Sequence, residues 1–258
     1  MFLDAGGVIV LPHRRLLAGA LAEIGIDIDP DAVPRAHYRA VRTLDRPSTR
    51  QDYERALFPQ LGIVPGRTAE AIAVWERLGD RTRSRHVLWS EPTPRAAETI
   101  AALRRAGLAV VIVTNSDGHG EENLRASGFE GIPVIDSTVV GAAKPDPRIF
   151  QIALERAGAG AAAAATVHVG DTLLNDVAGA RAAGITPIHF DPLRLCRATD
   201  HRHVRTLAGL WRHVTSAPRR PPGARAGSPG GRAGPLDLHN PSPGPDPAGR
   251  DDLRTPDV

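Results

Sequence analysis

The chain has 258 residues, of which 41% are hydrophobic and 24% are charged, so it can form one large domain or two small ones with a buried core. Its formal net charge of +3 is small for this length, and we expect no nucleic-acid partner. The single cysteine, Cys196, cannot form an internal disulfide, and no Cys/His spacing resembles a zinc site. We therefore expect a reducing compartment and no structural metal cluster.

The N-terminal sequence gives no sign of a targeting segment. It lacks a basic stretch followed by an apolar run, and the apolar runs elsewhere are too short to span a bilayer. We expect a soluble cytoplasmic protein without a membrane partner. The sequence leaves its oligomeric state open between monomer and homodimer.

The first elements are a short apolar strand and a long helical segment. The strand ends at Asp4 and is followed by Gly6-Gly7, which allow a tight turn. Residues 12–91 show only helical patterns, such as 14–25 and 51–62, which carry apolar side chains on one face. An all-helical insertion is therefore predicted at 12–91.

After this insertion, short β-rich runs alternate with helical patterns, which is typical of βαβ units and a parallel sheet. Thr93-Pro94 predicts a capped helix that ends at Gly107, and Asp146-Pro147 predicts another that ends at Gly158. The predicted fold is α/β, with a doubly wound parallel sheet formed by residues 1–11 and 92–215. Its later strands are predicted at 108–114, 132–136, 166–170 and 186–190.

Residues 216–258 differ in composition from the rest of the chain. They contain 10 Pro and 7 Gly, with six Arg and five Asp mixed through them. Such a segment cannot bury enough apolar surface to offset the entropy of ordering. A disordered tail is predicted, either as a solvated linker or as an arm that binds a partner.

Polar residues follow several of the predicted strands, at the sheet edge where open parallel sheets bind ligands. For Thr114, Asn115 and Asp171, a structural cap is an alternative explanation. A carboxylate after the first strand can act as a nucleophile or a metal ligand, and paired carboxylates suit Mg²⁺. A hydroxyl and backbone N–H groups at a helix start suit phosphate. These residues are Asp4, Thr114, Asn115, Lys144, Asp171 and Asp176.

Lys144 is the only lysine among the 32 basic Lys and Arg residues. It lies in a predicted loop before Pro145, where an ammonium could neutralise both a carboxylate and a phosphate oxygen. Because every other residue of this group is arginine, we expect Lys144 to belong to the site and not to the surface charge.

The order and spacing of these residues resemble the haloacid dehalogenase (HAD) superfamily of phosphohydrolases over residues 1 to about 213. The four motifs of that family are matched by Phe2-Leu3-Asp4-Ala5-Gly6-Gly7-Val8, Val113-Thr114-Asn115-Ser116, Lys144-Pro145-Asp146-Pro147, and Gly170-Asp171-Thr172 with Asn175-Asp176.

The resemblance implies a role for each matched residue. Asp4 would be the nucleophile that accepts the phosphoryl group, with Thr114 and Lys144 as further catalytic residues. Phosphate would be held by Thr114, Asn115, Lys144 and Gly7, and Mg²⁺ by Asp4, Gly6, Asp171 and Asp176, with Gly6 supplying its backbone carbonyl. The implied substrate is a small phosphorylated metabolite, and the insertion resembles the family's helical cap.

The first motif departs from the family pattern. Most phosphatases of the family carry a second aspartate, the general acid and base, where this chain has Gly6. Loss of such a group typically lowers turnover by about 10² to 10⁴-fold. Two functional hypotheses follow. The chain is either a phosphatase with a weakened proton-transfer step or a catalytically impaired protein that binds a phosphate or metabolite. His13 is a candidate substitute acid and base, although a surface histidine at a helix start is the commoner explanation.

Two other subclasses of the family fit the sequence poorly. A phosphonoacetaldehyde hydrolase would need a lysine in the cap, and residues 12–91 contain none. A haloacid dehalogenase would have a tyrosine where this chain has Gly6.

In the cap, several side chains are able to shape a substrate pocket, and the same side chains are candidates for the core of the cap. They are His37, Tyr38, Tyr53, Trp75 and Trp89.

Overall fold

A computed structural model describes residues 1–45, 52–80, 87–158 and 161–215, and the predicted tail at 216–258 lies outside the described residues. Eight strands are found in this part of the chain. They are β1 (Phe2–Leu3), β2 (Val10–Pro12), β3 (Trp89–Pro92), β4 (Val111–Thr114), β5 (Val134–Asp136), β6 (Val167–Gly170), β7 (Thr186–Phe190) and β8 (Arg202–Val204).

Helices surround these strands. The α-helices described are α1 (Arg14–Ala22), α2 (Val33–Leu44), α3 (Tyr53–Gln60), α4 (Thr68–Gly79), α5 (Ala96–Arg105), α6 (Gly120–Ala126), α7 (Ser137–Val140), α8 (Pro147–Arg156), α9 (Gly179–Ala182) and α10 (Trp211–Thr215). A π-helical turn, Leu173–Ala178, leads into α9. Within the described residues, no helix is both long and apolar enough to cross a membrane.

Six of the described strands form one parallel sheet in the order β5-β4-β1-β6-β7-β8. The chain starts at the centre with β1, adds β4 and β5 on one side, and then returns to add β6, β7 and β8 on the other. The predicted doubly wound α/β fold is therefore confirmed. Its carboxyl edge collects the loops after β1, β4, β6 and β7.

The predicted strand at 186–190 matches β7, whereas the one at 108–114 begins late, at Val111. The reason lies in the neighbouring strand β1. Phe2 pairs with Val111, and the N-terminal ammonium already bonds the carbonyl of Ala109. Residues before Val111 therefore have no strand to pair with on this side. β8 was not predicted, because its three residues are too few and too polar for a strand pattern.

The insertion packs around its own buried cluster, which includes Leu17, Leu21, Leu57, Phe58 and Trp75. The prediction of helices alone at 12–91 is wrong at both ends of the segment. There β2 and β3 pair antiparallel, with Pro12 opposite Trp89 inside the segment and Val10 opposite Pro92 just outside it. This short ribbon joins the helices α1–α4 to the parallel sheet.

The predicted start of α5 is also wrong, whereas that of α8 is confirmed. The Thr93 hydroxyl donates to the carbonyl of Val8 at 2.7 Å instead of capping α5, which begins after Arg95 in a left-handed conformation. Asp146 caps α8 as predicted, because its carboxylate accepts from the N–H of Arg148 at 2.9 Å.

Candidate active site

A cavity of about 460 Å³ lies at the carboxyl edge of the sheet, beneath the helical insertion. Its lining includes five of the residues predicted for the site together with Gly6. From the core these are Asp4, Thr114, Asn115, Lys144 and Asp171, and from the insertion the lining includes His37, Tyr53 and Trp89.

Lys144 lies between two carboxylates. Its ammonium nitrogen is 2.8 Å from Asp4 Oδ1 and 2.7 Å from Asp176 Oδ1, and all three side chains are buried. Burial alone would lower the pKa of Lys144, but the attraction of Asp176 and Asp4 outweighs it and holds that pKa above its usual value. The lysine therefore carries a positive charge in the site.

Asn115 determines where the lysine backbone lies. Its side-chain amide donates to the carbonyl of Lys144 at 2.9 Å and accepts from the N–H of Lys144 at 2.8 Å. Both polar groups of this amide are therefore engaged with the lysine loop. The predicted contact between Asn115 and phosphate stays a prediction.

Asp176 is held by four hydrogen bonds. Oδ1 accepts from Lys144 Nζ and from His168 Nε2, and Oδ2 accepts from the N–H of Thr172 at 3.0 Å and from its hydroxyl at 2.6 Å. Burial would raise the pKa of Asp176, but Lys144 and His168 outweigh it and hold that pKa far below its usual range. Asp176 is a fixed anion that orients the lysine.

His168 contacts the site, although it is not among the residues predicted from the sequence. It lies fully buried in β6, and burial lowers its pKa, so the neutral ring donates through Nε2 to Asp176 at 2.8 Å. The sequence pattern could have predicted it, since a histidine between two valines in a buried parallel strand requires a polar partner.

Asp4 is the residue whose charge depends most on what fills the cavity. Burial raises its pKa to about 7, against the opposing effect of Lys144. Its two described hydrogen bonds, from Lys144 Nζ and from the N–H of Ala5, both end on Oδ1 at 2.8 Å. The second oxygen, Oδ2, accepts none of the described hydrogen bonds.

Gly7 allows Asp171 to approach the first loop. Gly7 has a φ of +75°, and a Cβ built there would lie 2.0 Å from Asp171 Oδ2 and 2.5 Å from His37 Nε2. The N–H of Gly7 donates to the carbonyl of Val10 at 2.8 Å. In this arrangement Gly7 supplies space, and its predicted contact with phosphate does not come from that N–H.

The insertion contributes a hydrogen-bond chain that ends on Asp171. The hydroxyl of Tyr53 lies 2.7 Å from His37 Nδ1, and His37 Nε2 lies 2.9 Å from Asp171 Oδ2. Because an ionised carboxylate can only accept, the histidine donates through Nε2; in the neutral ring, Nδ1 then accepts from the tyrosine hydroxyl. Tyr38 adds a second link by donating to the carbonyl of Gly7 at 2.8 Å.

Trp89 occupies the side of Gly6 where the family's second aspartate would lie. A Cβ built at Gly6 would lie 3.3 Å from the six-membered ring of Trp89. The same indole packs on His37, Tyr53 and Trp75, with ring centroids 5.5 to 6.1 Å apart. Of the aromatic residues named from the sequence, His37, Tyr53 and Trp89 line the cavity. Tyr38 packs edge-on against His37, and Trp75 packs on Tyr53 and Trp89.

His13 does not line this cavity among the described residues. It is the N-cap of α1, where Nδ1 accepts from the N–H of Leu16 at 3.3 Å. This position favours the structural explanation over a role as substitute acid and base.

The donor atoms of the site suit a hard divalent cation. Asp4, Asp171 and Asp176 each offer a carboxylate oxygen, and these atoms lie within 4.8 Å of one another. When ionised, three carboxylates against one ammonium leave excess negative charge in a buried cluster. The residues present therefore fit Mg²⁺.

A family model described as haloacid dehalogenase-like hydrolase matches residues 1–184. Haloacid dehalogenase-like hydrolase domain-containing protein 3 of Mus musculus is 42% identical over 92 residues, which cover 35% of this chain and only 36% of the mouse protein. Ribulose-1,5-bisphosphate 5-phosphatase of Halopiger xanaduensis is 29% identical over 188 residues, covering 69% of this chain and 76% of that protein.

Among solved structures, the HAD-hydrolase YfnB from Bacillus subtilis, bound to magnesium, has the same fold. The TM-score is 0.59 at 20% identity, and the match covers 83% of this chain and 96% of that one.

Proposed function

Since the chain belongs to the haloacid dehalogenase-like hydrolases, we propose that it hydrolyses a small phosphate monoester through an aspartyl-phosphate on Asp4. The observation that carries the proposal is the state of the Asp4 carboxylate. Lys144 and the N–H of Ala5 engage Oδ1, which leaves Oδ2 without a described hydrogen bond on a residue that lines the cavity. The similarity to ribulose-1,5-bisphosphate 5-phosphatase of Halopiger xanaduensis supports the same reaction class.

The reaction has two steps. Asp4 Oδ2 forms a bond to phosphorus while the ester P–O bond breaks, and the leaving alkoxide takes a proton from water. A water molecule then attacks the phosphorus of the acyl phosphate and gives its proton to the hydroxide left by the first step, while the P–O bond to Asp4 breaks and releases phosphate with the carboxylate restored. Lys144 and Thr114 lie in the cavity lining, where an ammonium and a hydroxyl can bind the phosphoryl oxygens.

We assign Mg²⁺ to Asp4, Asp171 and the backbone carbonyl of Gly6. When bound, Mg²⁺ neutralises the negative charge of the phosphate and the carboxylates, which favours attack by an anion. Asp176 lies in the same cluster, but its two oxygens already accept four hydrogen bonds. Its part in the site is therefore to hold Lys144.

Gly6 and Trp89 favour a second candidate function, the binding of a phosphorylated ligand without efficient turnover. No carboxylate stands at position 6, and the indole of Trp89 fills the space beside it. A hydrolase built this way transfers the leaving-group proton from water and works best on esters with acidic leaving groups.

The test is an assay of the purified chain with Mg²⁺ against aryl and alkyl phosphate monoesters, with isothermal titration of inorganic phosphate in parallel. Asp4→Asn is expected to lower turnover by at least about 10³-fold, because the nucleophile is lost. The matched control is Asp27→Asn, which changes an exposed carboxylate of the insertion and leaves turnover unchanged.

The three possible outcomes are distinct. Turnover that depends on Asp4 supports the hydrolase. Phosphate binding without turnover of any ester supports the binding protein. Turnover that survives in Asp4→Asn contradicts the aspartyl-phosphate.

A further inference from the structure

A second cluster of metal-binding side chains lies outside the reaction described above. His189 belongs to β7, His203 belongs to β8, and Cys196 and His201 lie on the segment that joins these strands. His189 and His203 are register partners on adjacent parallel strands, so their side chains leave the sheet on the same face. One donor atom from each of the four residues lies within 4.8 Å of the others.

The spacing of the donor atoms matches a tetrahedral zinc site. His201 Nε2 lies 3.7 Å from Cys196 Sγ and 3.3 Å from His189 Nδ1. Around a tetrahedral Zn²⁺ with ordinary bond lengths, a sulfur and a nitrogen ligand are about 3.6 Å apart, and two nitrogens are about 3.3 Å apart. A single ion can therefore reach these three atoms with little movement.

The hydrogen bonds of the two facing histidines leave lone pairs on the inner nitrogens. His201 Nδ1 lies 2.7 Å from a carboxylate oxygen of Asp200, and His189 Nε2 lies 3.2 Å from the backbone carbonyl of Asp171. Both partners only accept, so each ring donates outward. In the neutral rings, His201 Nε2 and His189 Nδ1 then face each other without a proton between them.

A cation between the two rings removes this repulsion. Donation of the outer N–H to a carboxylate or a carbonyl is also the usual arrangement of a metal-bound histidine.

His203 provides an independent indication. Its Nε2 is buried and has no hydrogen-bond partner within the described part of the chain. A buried polar nitrogen without a partner costs free energy, and a missing ion is one of the ordinary explanations. Cys196 and His203 also line a neighbouring cavity of about 890 Å³, which gives an ion a path from solvent.

We propose that Cys196, His189, His201 and His203 bind one Zn²⁺ ion. A thiolate and three imidazoles are soft and borderline donors, which select Zn²⁺ over Mg²⁺. Four protein ligands complete the coordination shell, so the ion is structural. It closes the segment between β7 and β8, and through His189 it supports the backbone of Asp171 at the active site.

The expectation of no structural metal cluster followed from sequence spacing, which resembles no common zinc motif. The proposed ligands come from adjacent strands and an irregular segment, and only the sheet register brings them together. Spacing along the chain therefore hides a site of this kind.

The test is the metal content of the untagged full-length protein, purified from zinc-supplemented medium and measured by plasma mass spectrometry. We expect about one zinc per chain, falling to below about a fifth of that in Cys196→Ser and in His203→Gln. The control His119→Asn changes an exposed histidine and should keep the zinc. Full zinc content in both ligand variants, or none in the wild-type protein, overturns the proposal.

A second measurement covers the case in which a ligand variant fails to fold. The wild-type protein is stripped with a chelator and titrated with Co²⁺, and the absorption spectrum should show tetrahedral d–d bands with a thiolate charge-transfer band. Absence of these bands in folded protein overturns the proposal. Asp4→Asn should keep its zinc while losing turnover, so failure of the zinc site and failure of the proposed reaction are distinguishable.

Discussion

At the scale of single residues, Lys144 balances the charge of two buried carboxylates in the active site. Its buried ammonium is the shared partner of Asp4 and Asp176, and each of these carboxylates lies within 2.8 Å of it. Removal of one partner from a buried ion pair leaves an uncompensated charge, which costs far more than the pair itself contributes. The lysine that we propose to bind phosphate therefore also holds the folded site together.

The first prediction concerns the stability of this triad. Lys144→Met should lower the free energy of unfolding by about 3 to 5 kcal/mol, because two buried carboxylates lose their counter-charge. Denaturant unfolding measures the change. The control is Arg148→Met, which removes an exposed ion pair with Asp146 and should have little effect. Equal stability of the two variants would contradict the role given to Lys144.

The second prediction separates backbone strain from steric conflict at Gly7. Gly7→Ala and Gly25→Ala both place a side chain at a φ near +70°, at +75° and +71°. Only at Gly7 would the new Cβ meet Asp171 and His37; at Gly25 no heavy atom of the described chain lies within 4 Å. Both variants should lose about 1 kcal/mol from strain.

Gly7→Ala should lose stability beyond that amount and should also lose phosphate binding, because Asp171 must move. Isothermal titration with phosphate, beside denaturant unfolding, makes the comparison. If the two variants behaved alike, the close approach of Asp171 to Gly7 would be wrong.

At the scale of elements, the position of His13 decides between two explanations that the sequence left open. The third prediction is that His13→Ala lowers the free energy of unfolding by about 0.5 to 1 kcal/mol, because the N–H of Leu16 loses its acceptor. Turnover of a phosphate ester should stay within about twofold of the wild-type value. A fall of about 10²-fold or more would instead support an acid and base role.

The elements also show what the sequence could and could not predict. The parallel sheet followed from apolar runs ending in polar residues, and Asp4, Thr114 and Lys144 were found because strand ends converge at one edge. Strand lengths were less predictable, since β4 is limited by its two-residue neighbour β1. The contact between Trp89 and Gly6 was not predictable either, because it depends on how β3 pairs with β2.

Hydrogen-bond partners were the hardest part of the site to predict. Asp176 was named as a metal ligand from its spacing, yet its four hydrogen bonds come from Lys144, His168 and Thr172. Spacing identifies which side chains share a loop. It carries no information on how the lone pairs of one carboxylate are divided among neighbours, which depends on packing to within tenths of an ångström.

At the scale of the whole molecule, helix α2 connects the insertion to the loops that follow β1 and β6. His37 bonds Asp171, Tyr38 bonds the carbonyl of Gly7, and Asp45 accepts from the N–H of Leu173 at 2.8 Å. The insertion therefore does more than cover the cavity. It also holds the loops that carry the carboxylates. A substitution in its helices can therefore shift these carboxylates through the same contacts.

The last prediction concerns the composition of residues 216–258, whose Pro and Gly content predicts no contribution to the core. A chain ending at Ala217 should keep its turnover, its zinc content and its unfolding free energy to within about 0.5 kcal/mol. Its net charge falls by only one, since six Arg and five Asp are removed.

A shorter chain ending at Arg205 is the matched control, because it also loses Leu207 and Leu210, which are 1% and 0% exposed and belong to the core cluster of the sheet. Loss of each buried leucine should cost about 2 to 5 kcal/mol. Denaturant unfolding of the two truncated chains therefore locates the end of the folded unit. Destabilisation already in the chain ending at Ala217 would show that the segment after it packs on the fold.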